Sequence, residues 1–164
     1  MKEDDGVVNG AAHTAPNAAV AGLMAEVLGK GATFRFQASG FSMSPFIRNS
    51  DVITIAAAPA HLHPGEVAAF THPGSDRLMV HRVVHVDRQG YLIRGDNLLE
   101  PDGYVTCANI LGRVIRVERA GRRVYLGLGF ECFIIAFLSW RGWLKPLLAP
   151  VRRIYHFFFE IFKS

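Results

Sequence analysis

The chain has 164 residues, of which half are hydrophobic and a fifth are charged, and its formal net charge is +4. A chain of this length is expected to form one domain, with room for a core and a short appendage. Many basic residues lie late in the chain among apolar and aromatic ones, which favours a membrane surface as partner over nucleic acid. The two cysteines, Cys107 and Cys132, are far apart and lack metal-ligand spacing, so no metal is expected.

The first part of the sequence predicts a tail followed by one helix. Residues 1–16 are polar and rich in small residues, which is typical of a disordered tail, and they contain no apolar stretch that would mark a secretory signal peptide. A helix too short to cross a bilayer is predicted from Asn17, its N-cap, to about Lys30. Its apolar stripe comprises Val20, Leu23, Met24, Val27 and Leu28.

From residue 33 onwards the pattern changes to short strands at close spacing. The predicted strands are residues 34–36, 51–56, 67–70, 78–86, 91–94, 109–117 and 123–126. The turn at Gln89-Gly90 predicts a hairpin between the fourth and the fifth of them. This pattern predicts a mainly β domain, a sandwich or a barrel-type fold, over residues 17–126.

Residues 127–164 differ in composition and predict apolar helices. Residues 130–140 are strongly apolar, and residues 151–162 are aromatic and basic. The first run is shorter than the roughly 20 residues that cross a bilayer, and such a mixture suits helices in the membrane interface or a re-entrant hairpin. The alternative is an apolar helical hairpin that covers one open edge of the β domain. We expect membrane association, at a bacterial or archaeal inner membrane, with the side of the membrane undecided.

A short segment around Ser42 has the composition of a stiff turn that could hold a serine nucleophile in place. Ser42 lies between Gly40, which permits a positive φ, and Pro45, which ends regular pairing. Together with the apolar Phe41 and Met43, this glycine and this proline are the predicted substrate-binding residues. The same pattern also occurs in ordinary loops between strands, so the assignment depends on residues further along the chain.

Three motifs in chain order supply the parts of a serine hydrolase. The motif Gly-Phe-Ser-Met-Ser-Pro contains Ser42, and Val-His-Arg-Val-Val contains His81. Arg-Gly-Asp-Asn contains Asp96, and Asp102 follows six residues later. A neutral imidazole can take the serine proton, and a carboxylate can orient that imidazole. Strand alternation puts apolar side chains beside His81, and the alternative is a partly buried histidine with a structural role.

These motifs resemble the blocks of the type I signal peptidase family, serine endopeptidases that share a β fold with LexA-type self-cleaving repressors. The matching blocks are Ser-Met-x-Pro at residues 42–45, acidic blocks at 49–52 and 65–67, Gly-Asp-Asn at 95–97, and Gly-Arg-Val at 112–114. The resemblance covers roughly residues 33–118 and implies a LexA/signal-peptidase-like β domain.

The second block departs from the usual bacterial pattern. Bacterial members place a lysine base there, whereas the histidine found here is similar to the archaeal and endoplasmic-reticulum type. For that type the resemblance implies Ser42 as nucleophile and His81 as base. Asp96 and Asp102 are the implied carboxylate partners; Asp102 is our choice for orienting the imidazole, and Asp96 organises the loop in the alternative. Arg82 is the poorer candidate for the base because a guanidinium keeps its proton.

Two further departures concern the membrane anchor and the oxyanion. In the family a spanning helix normally precedes the serine block, whereas here a short amphipathic segment precedes it and the apolar part is C-terminal. Gly40 stands where many bacterial members carry a serine that helps bind the oxyanion. That leaves the backbone amide of Ser42 as the main expected donor.

The resemblance implies a serine endopeptidase of the signal peptidase type that uses no cofactor. It would cleave a leader or signal segment from an extended peptide or preprotein, bound at a strand edge, through an acyl-enzyme. One alternative is a LexA-like self-cleaving regulator, for which residues 1–32 are too short to supply a DNA-binding domain. Another is a non-catalytic β module tethered to a membrane by its C-terminal helices. The substrate and the oligomeric state stay open.

Overall fold

A computed structural model of the chain describes residues 8–9, 17–75 and 77–150. The elements in chain order are β1 (Val8–Asn9), α1 (Asn17–Gly29), β2 (Phe34–Gln37), β3 (Val52–Ala57), β4 (Val67–Thr71), β5 (Leu78–Asp87), β6 (Gly90–Arg94), β7 (Gly103–Val105), β8 (Ile110–Arg119), β9 (Arg122–Val124) and α2 (Cys132–Trp140). A third helix, α3, covers Leu144–Pro150.

The nine strands of the described residues form one sheet. Its strand order is β1-β2-β3-β8-β4-β5-β6-β7, and β9 pairs with β8 outside this path. Every pair is antiparallel except β1–β2. The hairpin predicted at Gln89-Gly90 joins β5 to β6, with Asp87 opposite Gly90. The prediction of a mainly β fold with a short N-terminal helix and C-terminal helices is confirmed.

Two strands are absent from the sequence prediction, because each is too short to carry an alternating pattern. β1 has two residues and β7 has three. β1 falls within the segment expected to be a disordered tail, yet it pairs with β2, where Val8 lies opposite Phe34. The rest of residues 1–16 and the aromatic, basic stretch 151–162 lie outside the described residues.

The main core lies between α1 and the sheet. Met24 and Leu28 of α1 are buried in one cluster with residues of β2, β3, β4 and β8. Leu23, predicted to share their stripe, is 42% exposed. Neighbouring residues of a helix point about 100° apart, so the position next to Met24 faces away from the sheet.

The C-terminal helices pack against the domain through a separate cluster. Ile135 of α2 and Leu144 of α3 are buried together with Phe46. A side-chain hydrogen bond adds to this contact, since Arg94 at the end of β6 donates to the Ser139 carbonyl at 2.5 Å. Within the described residues, no helix taken singly has the length and hydropathy of a membrane span; α2 and α3 reach them only as a pair bent by 109°.

Gly112 on β8 marks a close approach between strands and provides a test of the fold. A Cβ at this position would lie 2.5 Å from both the Ala56 carbonyl oxygen and the Ile55 side chain. We therefore expect Gly112→Ala to lower the free energy of unfolding by about 1–3 kcal/mol, measured by urea denaturation. The control is Gly22→Ala in α1, where a Cβ meets no atom within 4 Å and about 0.5–1 kcal/mol of stabilisation is expected. Equal stability of the two variants would contradict this packing.

Candidate active site

Ser42 lies on a loop whose two ends are held together. At its neck the Ala38 amide donates to the Asp51 carbonyl at 2.7 Å, and the Ser50 amide donates to the Ala38 carbonyl at 2.8 Å. The Asp51 side chain, which is buried, accepts two hydrogen bonds from Arg119 of β8, at 2.9 and 2.7 Å. A bidentate pair of this kind fixes both position and angle, so the acidic residue after the loop anchors it to the sheet.

Three buried side chains hold the loop from inside. Met43 and Ile47 are part of the main core, and Phe46 packs with the C-terminal helices. Gly40 at the start of the loop has a φ of 99°, a left-handed conformation that favours glycine. Because the loop is anchored on both sides of Ser42, its hydroxyl is held in place rather than carried on a mobile segment.

The serine hydroxyl contacts a buried histidine, and the other nitrogen of that imidazole contacts a carboxylate. The distance from Ser42 Oγ to His81 Nε2 is 2.8 Å, and the distance from His81 Nδ1 to Asp102 Oδ2 is 2.6 Å. An ionised carboxylate only accepts hydrogen bonds, so Nδ1 carries the proton and Nε2 of the neutral ring accepts from the serine. The convergence predicted for these three residues is therefore present, in the order that proton transfer from the serine requires.

Two neighbouring strands bring the histidine and this carboxylate together. His81 lies in the middle of β5 and is 2% exposed. Asp102 directly precedes β7, and its amide donates to the Ile93 carbonyl of β6, the strand next to β5. The Phe70 ring lies at 6.2 Å from the imidazole and covers it from β4. The imidazole is thus almost entirely shielded from water, and it lines the cleft beside Ser42.

Asp96, the other carboxylate proposed for the histidine, binds Arg82 instead. Its two oxygens accept from Arg82 Nε and Nη2 at 2.8 and 2.7 Å, and both side chains are fully buried. Arg82 also donates through Nη1 to the carbonyls of Gly65 and Gly127, at 2.7 and 2.8 Å. Alternation along β5 turns Arg82 to the opposite side from His81, where a buried cation needs a counter-charge. A charge at the centre of an apolar strand is the sequence signal that could have revealed this pair.

The loop after β6 supports the backbone of the nucleophile. The Asn97 amide donates to the Ser42 carbonyl at 2.7 Å, and the Asn97 side chain donates to the Phe41 carbonyl at 3.1 Å. A Cβ on Gly95 would lie 2.8 Å from the same Ser42 carbonyl oxygen. The Gly-Asp-Asn block is therefore structural: its glycine permits the approach, Asp96 fixes the loop, and its asparagine holds the serine.

A cleft of about 230 Å³ opens beside the serine hydroxyl. Its apolar lining comes from β2, β3, the serine loop and the first half of β5, and consists of Phe36, Ala38, Met43, Ile47, Ile53, Met79 and Val80. Of the four predicted substrate-binding residues, Gly40 and Met43 line the cleft. Phe41 and Pro45 do not; the Phe41 side chain is 69% exposed.

Backbone groups near the serine are available to a ligand. The Ser42 amide has no hydrogen-bond acceptor within the described parts of the chain. Leu78, Met79 and Val80 of β5 pair with β4 on one side, whereas β6 joins the other side only from Arg82 onwards. The described residues contain no group of three or more His, Cys, Asp or Glu side chains that could hold a metal.

Comparison with known proteins agrees with the motifs. The family described as Peptidase S24-like matches residues 11–115 of the chain. This range includes the serine, the histidine and both carboxylates discussed above, and it ends within β8. The resemblance to LexA-like and signal-peptidase-like proteins is thereby confirmed at the level of the family. No curated protein sequence matches the chain.

The two carboxylates should differ in their effect on stability. Asp96→Leu leaves the fully buried Arg82 without its counter-charge, and we expect it to lower the free energy of unfolding by about 3–5 kcal/mol. Asp102→Asn keeps the shape of a partly buried side chain, and we expect a loss of about 1 kcal/mol. Urea denaturation measures both. The double variant Arg82→Met/Asp96→Leu should recover much of the larger loss, and equal losses for the two single variants would contradict the assignment.

Proposed function

Since the chain belongs to the Peptidase S24-like family, we propose that it is a serine endopeptidase of the signal peptidase type, which removes a leader or signal segment from a peptide or preprotein. The family match supports a serine-type peptidase or a LexA-like self-cleaving domain. The observation that carries the proposal is the contact chain from Ser42 Oγ through His81 to Asp102, with distances of 2.8 and 2.6 Å.

In the first chemical step Ser42 Oγ attacks the carbonyl carbon of the scissile peptide bond. His81 Nε2 accepts the hydroxyl proton as the Oγ–C bond forms, and the imidazolium is stabilised by Asp102 at Nδ1. The same proton then passes to the leaving nitrogen as the C–N bond breaks, which leaves an ester on Ser42. Water, deprotonated by His81, attacks this ester and releases the new carboxyl terminus.

The negative charge that develops on the carbonyl oxygen needs a donor fixed in advance. The Ser42 amide is suited to this role because the described residues give it no acceptor. Its orientation is set by the neighbouring peptide groups, since Asn97 binds the carbonyls of both Phe41 and Ser42. Gly40 has no side chain that could contribute a second donor, in keeping with the departure noted in the sequence.

An extended peptide fits the cleft better than a compact substrate does. No described strand pairs with Leu78, Met79 and Val80 on the side away from β4, so that side offers backbone donors and acceptors to an added strand. The apolar floor between β2 and β5 accommodates small apolar side chains next to the scissile bond. Both features correspond to a leader peptide in extended conformation, with main-chain hydrogen bonds for affinity and shallow apolar contacts for selection.

The second candidate, a LexA-like self-cleaving domain, is favoured by one observation. β1 pairs in parallel with β2, so Val8 and Asn9 lie beside Phe34 and Arg35 of the strand that leads into the serine loop. A segment that approaches the cleft in this way could present a peptide bond to Ser42 from within the same molecule.

The proposed chemistry predicts how variants react with a serine-directed acylating probe. Wild type should be labelled at Ser42, and Ser42→Ala should show no labelling. His81→Ala should react about 10²–10⁴-fold more slowly because the general base is lost. Asp102→Asn should also be slow, whereas Ser75→Ala, at an exposed serine outside the cleft, should react as wild type does. Rates come from mass spectrometry of the labelled chain; an unlabelled wild type would instead favour a non-catalytic β module.

Incubation of the chain alone separates the two candidates. We expect wild type to keep its full mass at high protein concentration, because the leader substrate is a different molecule. Loss of the segment ahead of α1 in wild type, but not in Ser42→Ala, would support self-cleavage. A rate that is independent of protein concentration would place that cleavage within one molecule.

A further inference from the structure

The helices α2 and α3 present a broad apolar surface, which we call the aromatic face. Its six side chains are between 45% and 63% exposed, and they are Phe133, Ile134, Phe137, Trp140, Trp143 and Leu147. Large apolar surfaces of this kind mark contacts with a partner or a membrane, because water is an unfavourable neighbour for them. The buried side of the same helices is occupied by Ile135 and Leu144. Of the aromatic face, Trp140 also stacks on His85 of β5, with the ring centres 5.1 Å apart.

The charged side chains within residues 132–150 are both basic, and the Asp87 carboxylate reaches this region only through His85, 3.9 Å away, which stacks on Trp140. The Arg141 guanidinium lies 5.4 Å from the ring centres of both Phe137 and Trp140. Lys145 stands in α3, and residues 132–150 contain no aspartate or glutamate. A cation placed over aromatic rings reaches outwards while its stem covers apolar surface. The surface therefore combines apolar side chains, two tryptophans and positive charge.

We propose that the aromatic face docks on an anionic lipid bilayer and lies in its interface. Tryptophan is enriched at the headgroup level, and basic residues beside it are attracted to anionic lipids. Within the described residues neither helix has the length of a membrane span, and the bend of 109° between them suits a hairpin lying at the surface. A second copy of the chain is a poorer occupant, because in a two-fold contact between these helices residues 132–150 would offer no carboxylate to pair with Arg141 and Lys145.

Docking would bring the active site to the membrane surface. Arg94 joins the two regions, since it donates to the Ser139 carbonyl of α2 at 2.5 Å and to the Leu98 carbonyl of the loop after β6 at 3.2 Å. Phe46 of the serine loop also packs with the C-terminal helices. This catalytic consequence rests on the proposed function, whereas lipid docking itself does not and is measured without any substrate.

The tryptophans provide a direct readout in the unmodified full-length chain. The chain has two, Trp140 and Trp143, and both belong to the aromatic face. With vesicles of phosphatidylcholine and phosphatidylglycerol we expect their emission to shift to the blue and to be quenched by brominated lipids. Pure phosphatidylcholine vesicles and added salt should weaken both effects. Unchanged emission with anionic vesicles overturns the proposal.

Variants test which residues make the contact, by co-sedimentation with the same vesicles. Phe133→Ser/Phe137→Ser should bind at least tenfold more weakly, and Arg141→Gln and Lys145→Gln should each cost about fivefold on anionic vesicles. The matched control is Leu23→Ser, which removes a leucine 42% exposed on α1 and should bind as wild type does. Equal binding by the control and the double variant overturns the proposal, as does a stable dimer in light scattering that excludes vesicles. If the double variant fails to fold, quenching of the wild-type tryptophans by brominated lipids still tests whether the aromatic face docks on the bilayer.

Discussion

The buried ion pair between Arg82 and Asp96 is the interaction on which the candidate site depends. Both side chains are removed from water, so every donor of the guanidinium needs an acceptor, and these come from several parts of the chain. Asp96, held by this pair, fixes the loop in which Asn97 binds the Ser42 carbonyl. His81 directly precedes Arg82 on β5, so the same pair also fixes the strand position of the imidazole. The contact between Ser42 and His81 therefore depends on the pair in which Asp96 neutralises the buried charge of Arg82.

The rigidity of the serine loop has an unusual origin for a surface segment. Loops that carry reactive groups are commonly mobile, whereas this one is held at its neck by Asp51 and Arg119 and inside by buried side chains. A nucleophile that must align with both a base and a carbonyl gains from such restraint, because misplacement by about 1 Å costs as much as 10²-fold in rate. The contacts that stabilise this loop would thus also set the reactivity proposed for Ser42.

Much of the architecture could be predicted from the sequence, and the exceptions have physical causes. The long strands and the hairpin follow from alternation and turn residues, which act locally. β1 and β7 could not be predicted in this way, because two or three residues are too few to show an alternating pattern. The choice between Asp96 and Asp102 depends on how β5, β6 and β7 align, which distant residues decide. Leu23 shows a similar limit: its helix is predicted correctly, but the side facing the sheet is set by packing.

The order of the strands shows that the cleft lies between two strands that are not neighbours in the sheet. β2 and β5 are separated in the sheet by β3, β8 and β4, yet Phe36 of the first and Val80 of the second line the same opening. Among the described strands, none pairs with Phe36 on the side away from β3 or with Val80 on the side away from β4. The sheet ends at β1 and β7, so a peptide laid between Phe36 and Val80 would link two inner strands, β2 and β5, into a ring with β3, β8 and β4. While bound, such a peptide would act as the β-strand that closes the barrel.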